Sequence, residues 1–132
     1  DGPAIDPDVL DLGHVFEVLY HPRRRYLLYA LAIDSTWALR ELATKLVAWE
    51  QDIDETVVHE DQCDRMYVSL YHAHVPKLVE HRVIRFDEEA ETISPALHSE
   101  QVFAVLEGAG ASLDSLQEQH AGRAYAAEDT DE

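Results

Sequence analysis

A chain of 132 residues, 46% of them apolar, holds enough core for one domain. Its 27 acidic side chains against 10 basic ones leave a formal charge of −17, which opposes any polyanionic partner unless the few cations are gathered in one place or salt screens the remainder. No apolar run approaches the roughly 20 residues that span a bilayer, no secretory leader is expected, and the one cysteine, Cys63, excludes an internal disulfide, so a reducing cytoplasm is the expected compartment.

Residues 1–8 carry Gly2, Pro3, Pro7 and several acids and read as a disordered lead-in. Asp8 can cap a first helix that runs to about Tyr20, with Leu12, Val15, Phe16 and Leu19 as its apolar stripe. Pro22 suits the first turn of a second helix ending near Ile33, with Leu27, Leu28, Ala30 and Leu31 buried. The basic run Arg23-Arg24-Arg25 has two readings, a helix start that pairs with the acidic surface or a phosphate contact. Asp34, Ser35 and Thr36 form a turn and cap before a third helix, where Leu39, Leu42, Ala43, Leu46 and Val47 repeat at helical spacing. Residues 50–61 then bring Glu50, Asp52, Asp54, Glu55, Glu60 and Asp61 without one base, which predicts an acidic loop with room for a single helical turn.

A fourth helix is expected over residues 62–80. At about 100° per residue it places Tyr67, Leu70, Tyr71, His74, Val75 and Leu78 on one face and Arg65, Ser69, His72, Ala73 and Pro76 on the other. Pro76 lacks an N–H and clashes with the carbonyl of His72, so a kink or break is predicted there. Ile84, Phe86 and Ile93 alternate inward along two strands of a hairpin whose tip is Glu88-Glu89-Ala90-Glu91. A last helix over 98–120 carries Val102, Val105, Leu106, Ala109, Leu113 and Leu116 in one stripe, and residues 121–132 read as an acidic disordered tail. With the core already supplied by earlier helices, that stripe is expected to be covered by a second copy, with Val102, Val105, Leu106, Ala109 and Leu113 forming a homodimer interface. The fold class expected is mainly α with a small β-hairpin (α+β): a winged helix-turn-helix over residues 9–97 with an additional C-terminal helix.

The segments Ala38-Leu-Arg-Glu-Leu-Ala43 and Tyr67-Val-Ser-Leu-Tyr-His-Ala-His-Val-Pro-Lys-Leu78, with Tyr20-His-Pro-Arg-Arg-Arg-Tyr26 upstream, resemble an uncharacterised winged helix-turn-helix domain family of halophilic archaea. More distantly the chain is similar to ArsR-type (arsenic repressor) transcriptional regulators. The likeness runs over about residues 15–94 and implies the fold, with transcriptional regulation by analogy. A halophilic source agrees with the low lysine count, Lys45 and Lys77 alone, and with an acidic surface suited to high salt. If self-repulsion screened by salt is the reason for the charge, lowering salt from molar to about 10 mM should reduce helical circular dichroism; an unchanged melting point there would reject this explanation.

Residues 65–86 carry Arg65, Lys77, Arg82 and Arg85 against Glu80 alone, four positive charges to one negative, or +3 locally. The leading expectation is therefore a homodimeric transcriptional regulator that binds double-stranded DNA with Arg65, Ser69, His72, Ala73, Lys77 and Arg85. Arg65 and His72 would meet base edges or phosphates, Ser69 a phosphate or base, and Lys77 and Arg85 the backbone. The other expectation is a winged-helix protein-interaction module without DNA binding, favoured by the acidic loop, the acidic hairpin tip and the net charge.

No catalytic, cofactor or metal site is expected. The chain lacks a glycine-rich phosphate loop, a Gly-x-Ser-x-Gly elbow and a His-Glu-x-x-His pair. His59 and Cys63 lie four apart, but two ligands do not make a site. His72 and His74 point to opposite sides of a helix, which leaves His74 as a core histidine.

Overall fold

The structure is a computed structural model that describes residues 9–113, with side chains up to residue 108. The lead-in over 1–8, the expected helix end over 114–120 with Leu116, and the tail over 121–132 lie outside the described residues, as do the side chains of Ala109 and Leu113. The order is α1 (Leu12–Leu19), α2 (Pro22–Ile33), β1 (Trp37–Ala38), α3 (Leu39–Gln51), α4 (Glu60–Ser69), α5 (Val75–Glu80), β2 (Ile84–Asp87), β3 (Thr92–Pro95) and α6 (Ser99–Leu113). The class is mainly α with a small antiparallel sheet, as the sequence predicts.

The helical stripes of α2 and α3 bury the residues their spacing marks. Leu27, Leu28, Leu39, Leu42 and Leu46 are all at most 2% exposed and meet Leu70 and Leu78 from the following rod. The acidic segment after α3 contains one short 3₁₀ turn, Glu55–Val57, started by Asp54 accepting from the Thr56 N–H at 2.9 Å. Asp52 closes α3 in the left-handed conformation, which a short polar side chain tolerates better than most.

Three findings depart from the sequence reading. First, the hairpin gains a third strand: β1 pairs antiparallel with β3, Trp37 opposite Ile93 and Ala38 opposite Thr92, where the sequence predicts only a turn and cap before α3. Two residues carry no periodicity, so only a distant partner could make them a strand. Second, Leu12 and Phe16, expected in the core, are 60% and 59% exposed, because α1 is rotated to bury Val15, Val18 and Leu19. Third, Val102 and Leu106, expected at a dimer interface, have no exposure at all. They belong to the chain's own core, with α6 against both α1 and α2. Gln101 locks that arrangement by accepting from the Leu10 N–H at 2.7 Å and donating to the Leu10 carbonyl at 2.8 Å. Val105 is half-buried against the same core.

Candidate nucleic-acid interface

The expected fourth helix is a rod of three parts. Residues 60–69 are α-helical, Leu70–His74 form one wide π turn, and α5 completes it. Pro76 explains the widening. Its missing N–H and its ring would break regular i→i−4 bonding, and the chain instead lets the Val75 N–H reach back to the Leu70 carbonyl. Where a kink or break is predicted, the helical run continues past its proline through the widened turn. Leu70, His74, Val75 and Leu78 face the core as expected, joined by Met66, which the face assignment missed.

On the opposite side Arg65, Val68, His72, Ala73 and Pro76 are exposed. Two of the expected contacts are engaged elsewhere. Lys77 turns toward α1, where its Nζ lies 2.6 Å from Glu17 Oε1, and that ammonium holds the Glu17 carboxyl below its ordinary range. Ser69 Oγ accepts from Arg23 Nη1 at 2.8 Å, while Glu50 grips the same guanidinium at 2.7 and 3.1 Å. Lys77 is thus held in an ion pair with α1, and Ser69 keeps only its hydroxyl proton to offer.

The remaining cations sort by the same accounting. Arg40 pairs with Asp64 at 2.8 Å and covers the Tyr67 ring, and Lys45 pairs with Glu55 at 3.3 Å. Arg24 and Arg25 are 8% and 7% exposed, too buried to reach a phosphate. Among the described residues this leaves Arg65, Arg82 and Arg85 without an ion-pair partner. Arg65 sits near the start of the rod and Arg82 just past its end, about 25 Å apart at 1.5 Å per residue. Arg85 stands on the outward side of β2, opposite in alternation to Ile84 and Phe86. Arg82, in the left-handed conformation that ends α5, was counted in the local charge but not among the contacting residues.

Beneath the rod lies a buried polar layer that the sequence did not reveal. Arg24 donates to the carbonyls of Val18 and Glu17 at 2.8 Å each, and Arg25 to those of Leu19 and Tyr20, so two arginines close the free carbonyl end of α1. Neither reading of the basic run anticipated this; Arg23 does pair with an acid, Glu50. Arg24 Nη1 also lies 3.2 Å from His74 Nδ1. A guanidinium has no acceptor, so Nδ1 must accept and the neutral imidazole keeps its proton on Nε2. The His21 ring packs 4.3 Å away. Burial, with the neighbouring His21, Arg24 and Arg23, pushes the His74 pKa down to about 4.

The hairpin tip is tied to the rod and to α3 through Glu91. Glu91 folds back to accept from the Tyr67 hydroxyl, and its backbone carbonyl takes the Leu39 N–H at 2.9 Å. Asp87 caps the tip by accepting from the Glu89 and Ala90 N–H groups. Cys63 lies against Thr44, with Sγ 3.3 Å from the hydroxyl, and the His59 N–H is held by Gln62. No three His, Cys, Asp or Glu side chains gather to hold a metal ion among the described residues. No helix among them is long and apolar enough to cross a membrane.

The model of the family described as Domain of unknown function (DUF7344) matches residues 16–94, more than half of the chain. The chain belongs to this family. The DUF7344 segment contains the whole rod, the three unpaired arginines and the sheet up to Ser94, and stops before α6. No curated protein and no solved structure matches the chain.

Proposed function

We propose that this DUF7344 protein is a homodimeric, winged helix-turn-helix transcriptional regulator of a halophilic archaeon, working in the cytoplasm and reading duplex DNA with the outer face of the α4–α5 rod. One observation carries the reading: among the described residues the three arginines left without an ion-pair partner are Arg65 on the rod, Arg82 in the turn that follows it and Arg85 on the strand beside it. A chain with this net charge has no cations to spare, and DNA affinity comes from those free to neutralise phosphates. In the proposed complex α3 braces the rod, the exposed Arg65 and His72 meet base edges or phosphates, and Ala73 permits close approach. The family assignment supplies no chemistry of its own, and we read the protein as a binder and not an enzyme.

The test is sequencing of genomic fragments bound by the full chain in molar potassium chloride. Arg65→Glu should weaken the enriched site about tenfold to a hundredfold while leaving the melting point unchanged, because Arg65 is exposed and unpaired. Failure of the folded chain to enrich any fragment would reject the reading in favour of a protein-interaction module.

The dimer is proposed through α1 in place of the α6 stripe. Leu12, Phe16 and Tyr20 follow one another at helical spacing on its outer side, with Val9 just before them, and all four are between 51% and 82% exposed. Together they form an apolar strip that a second copy could cover symmetrically. Phe16→Glu is expected to halve the particle mass seen by light scattering at tens of micromolar while helical content is kept. A monomeric wild-type protein would instead rule out the pairing and the palindromic site that follows from it.

A further inference from the structure

Between α5 and β2 lies a groove of about 400 Å³, bordered by Tyr71, Pro76, Val79, Glu80, Phe86 and Glu88. Two of its walls are aromatic. The Tyr71 and Phe86 rings stand 5.8 Å apart with their planes at 86°, edge to face. Tyr71 is braced from behind by Tyr67 at 5.9 Å, whose own ring lies under the Arg40 guanidinium and whose hydroxyl is anchored on Glu91. The walls are therefore fixed by the fold before anything binds.

The rim carries charge of one sign. Glu80 and Glu88 are exposed, neither has an ion-pair partner among the described residues, and no residue lining the groove is basic. Arg85 alternates to the other side of β2, and Lys77 is held by Glu17. An anion would be repelled here, and a neutral apolar ligand would use the rings while leaving both carboxylates uncompensated. A weakly hydrated cation uses both features, since ring faces attract positive charge and the carboxylates neutralise it. The volume lies at the small end of ligand pockets, enough for one bulky head group and too little for a run of peptide backbone.

We propose that this groove binds a small organic cation with an alkylammonium head, seated between the Tyr71 and Phe86 rings and held at the rim by Glu80 and Glu88. Binding there does not use Arg65 or Arg85, neither of which lines the groove, while His72 supports the Tyr71 ring edge-on at 5.0 Å.

The probe is choline chloride, titrated into the full chain in molar potassium chloride so that the rest of the acidic surface is screened, and followed by nuclear magnetic resonance. Saturable shifts confined to Tyr71, Val79, Phe86 and their neighbours are expected. The uncharged isostere 3,3-dimethylbutan-1-ol should bind at least about fivefold more weakly, the difference being the cation's attraction to rings and carboxylates. Glu80→Gln with Glu88→Gln, both exposed and without partners, should keep the native spectrum and weaken choline severalfold. Phe86→Leu, which keeps an apolar wall but removes the ring, should do the same. Equal affinity for choline and the alcohol would overturn the proposal by making the groove an ordinary apolar slot. Unsaturable shifts spread over the acidic surface, or no shifts at all, would overturn it equally.

Discussion

Leu106→Glu unfolds the domain, and does so without first separating any dimer. Leu106 has no solvent exposure and belongs to the same core cluster as Val15, Leu27 and Leu28, so α6 is a structural element of the monomer. Removing a buried leucine costs about 2–5 kcal/mol through lost transfer energy and the cavity left behind. A carboxylate forced into the same place adds several more, the cost of taking a charge out of water into a packed core. The sum reaches at least about 5 kcal/mol, which is the whole stability of many small domains. Far-ultraviolet circular dichroism should show loss of helix at 25 °C, whereas Phe16→Glu, on the exposed side of α1, should leave it intact. A Leu106→Glu protein with native helicity and half the wild-type mass would show that the leucine faces a partner after all.

Acid should destabilise the fold well before its carboxylates titrate. His74 has a pKa of about 4 in the folded chain against about 6.5 unfolded, so between these values the unfolded state binds more protons and stability falls as pH falls. From pH 7 to pH 5 the loss from this one histidine is about 2 kcal/mol by proton linkage. His21 is shifted in the same direction, by burial first and then by the charges of Arg24 and Arg23, and adds to it. The contribution is complete above the unfolded value and vanishes through the window down to pH 4. Urea denaturation should show it as a midpoint lowered by about 1 M at pH 5 relative to pH 7. In His74→Gln, the side-chain carbonyl can still accept from Arg24 but cannot titrate, so most of that difference should disappear. A variant with the same pH dependence as the wild type would show that other groups carry it.

The elements of this protein are local in origin, and so most were legible. Leu39, Leu42, Ala43, Leu46 and Val47 repeat at a helical period and are all buried; Leu70, His74, Val75 and Leu78 do the same on the rod. Pro22 begins α2 as its fixed geometry dictates. Pro76 marks a defect in any helix, yet spacing alone does not say whether the chain breaks or widens there, because α3 packs on the first part of the rod and β2 on the last. The exposed set Arg65, His72, Ala73 and Arg85 was likewise readable from angles alone. Lys77 and Ser69 were not, since their partners Glu17 and Arg23 lie far away in the chain and nothing in local spacing reveals them.

The sequence by itself determined where most of the helices and the hairpin lie, which rod face is buried, and that few cations exist to meet a polyanion. These follow from periodicity, from the fixed angles of proline and from composition, all of which act within a few residues. Tertiary structure alone decided the third strand at Trp37–Ala38, the rotation of α1 that leaves Phe16 outside, the burial of Leu106, and the use of Arg24 and Arg25 to close α1. Each of those rests on which surface arrives opposite which. An amphipathic stripe specifies only that something apolar must cover it, and an arginine only that something must accept its hydrogen bonds; the packing of the whole chain chooses the partner.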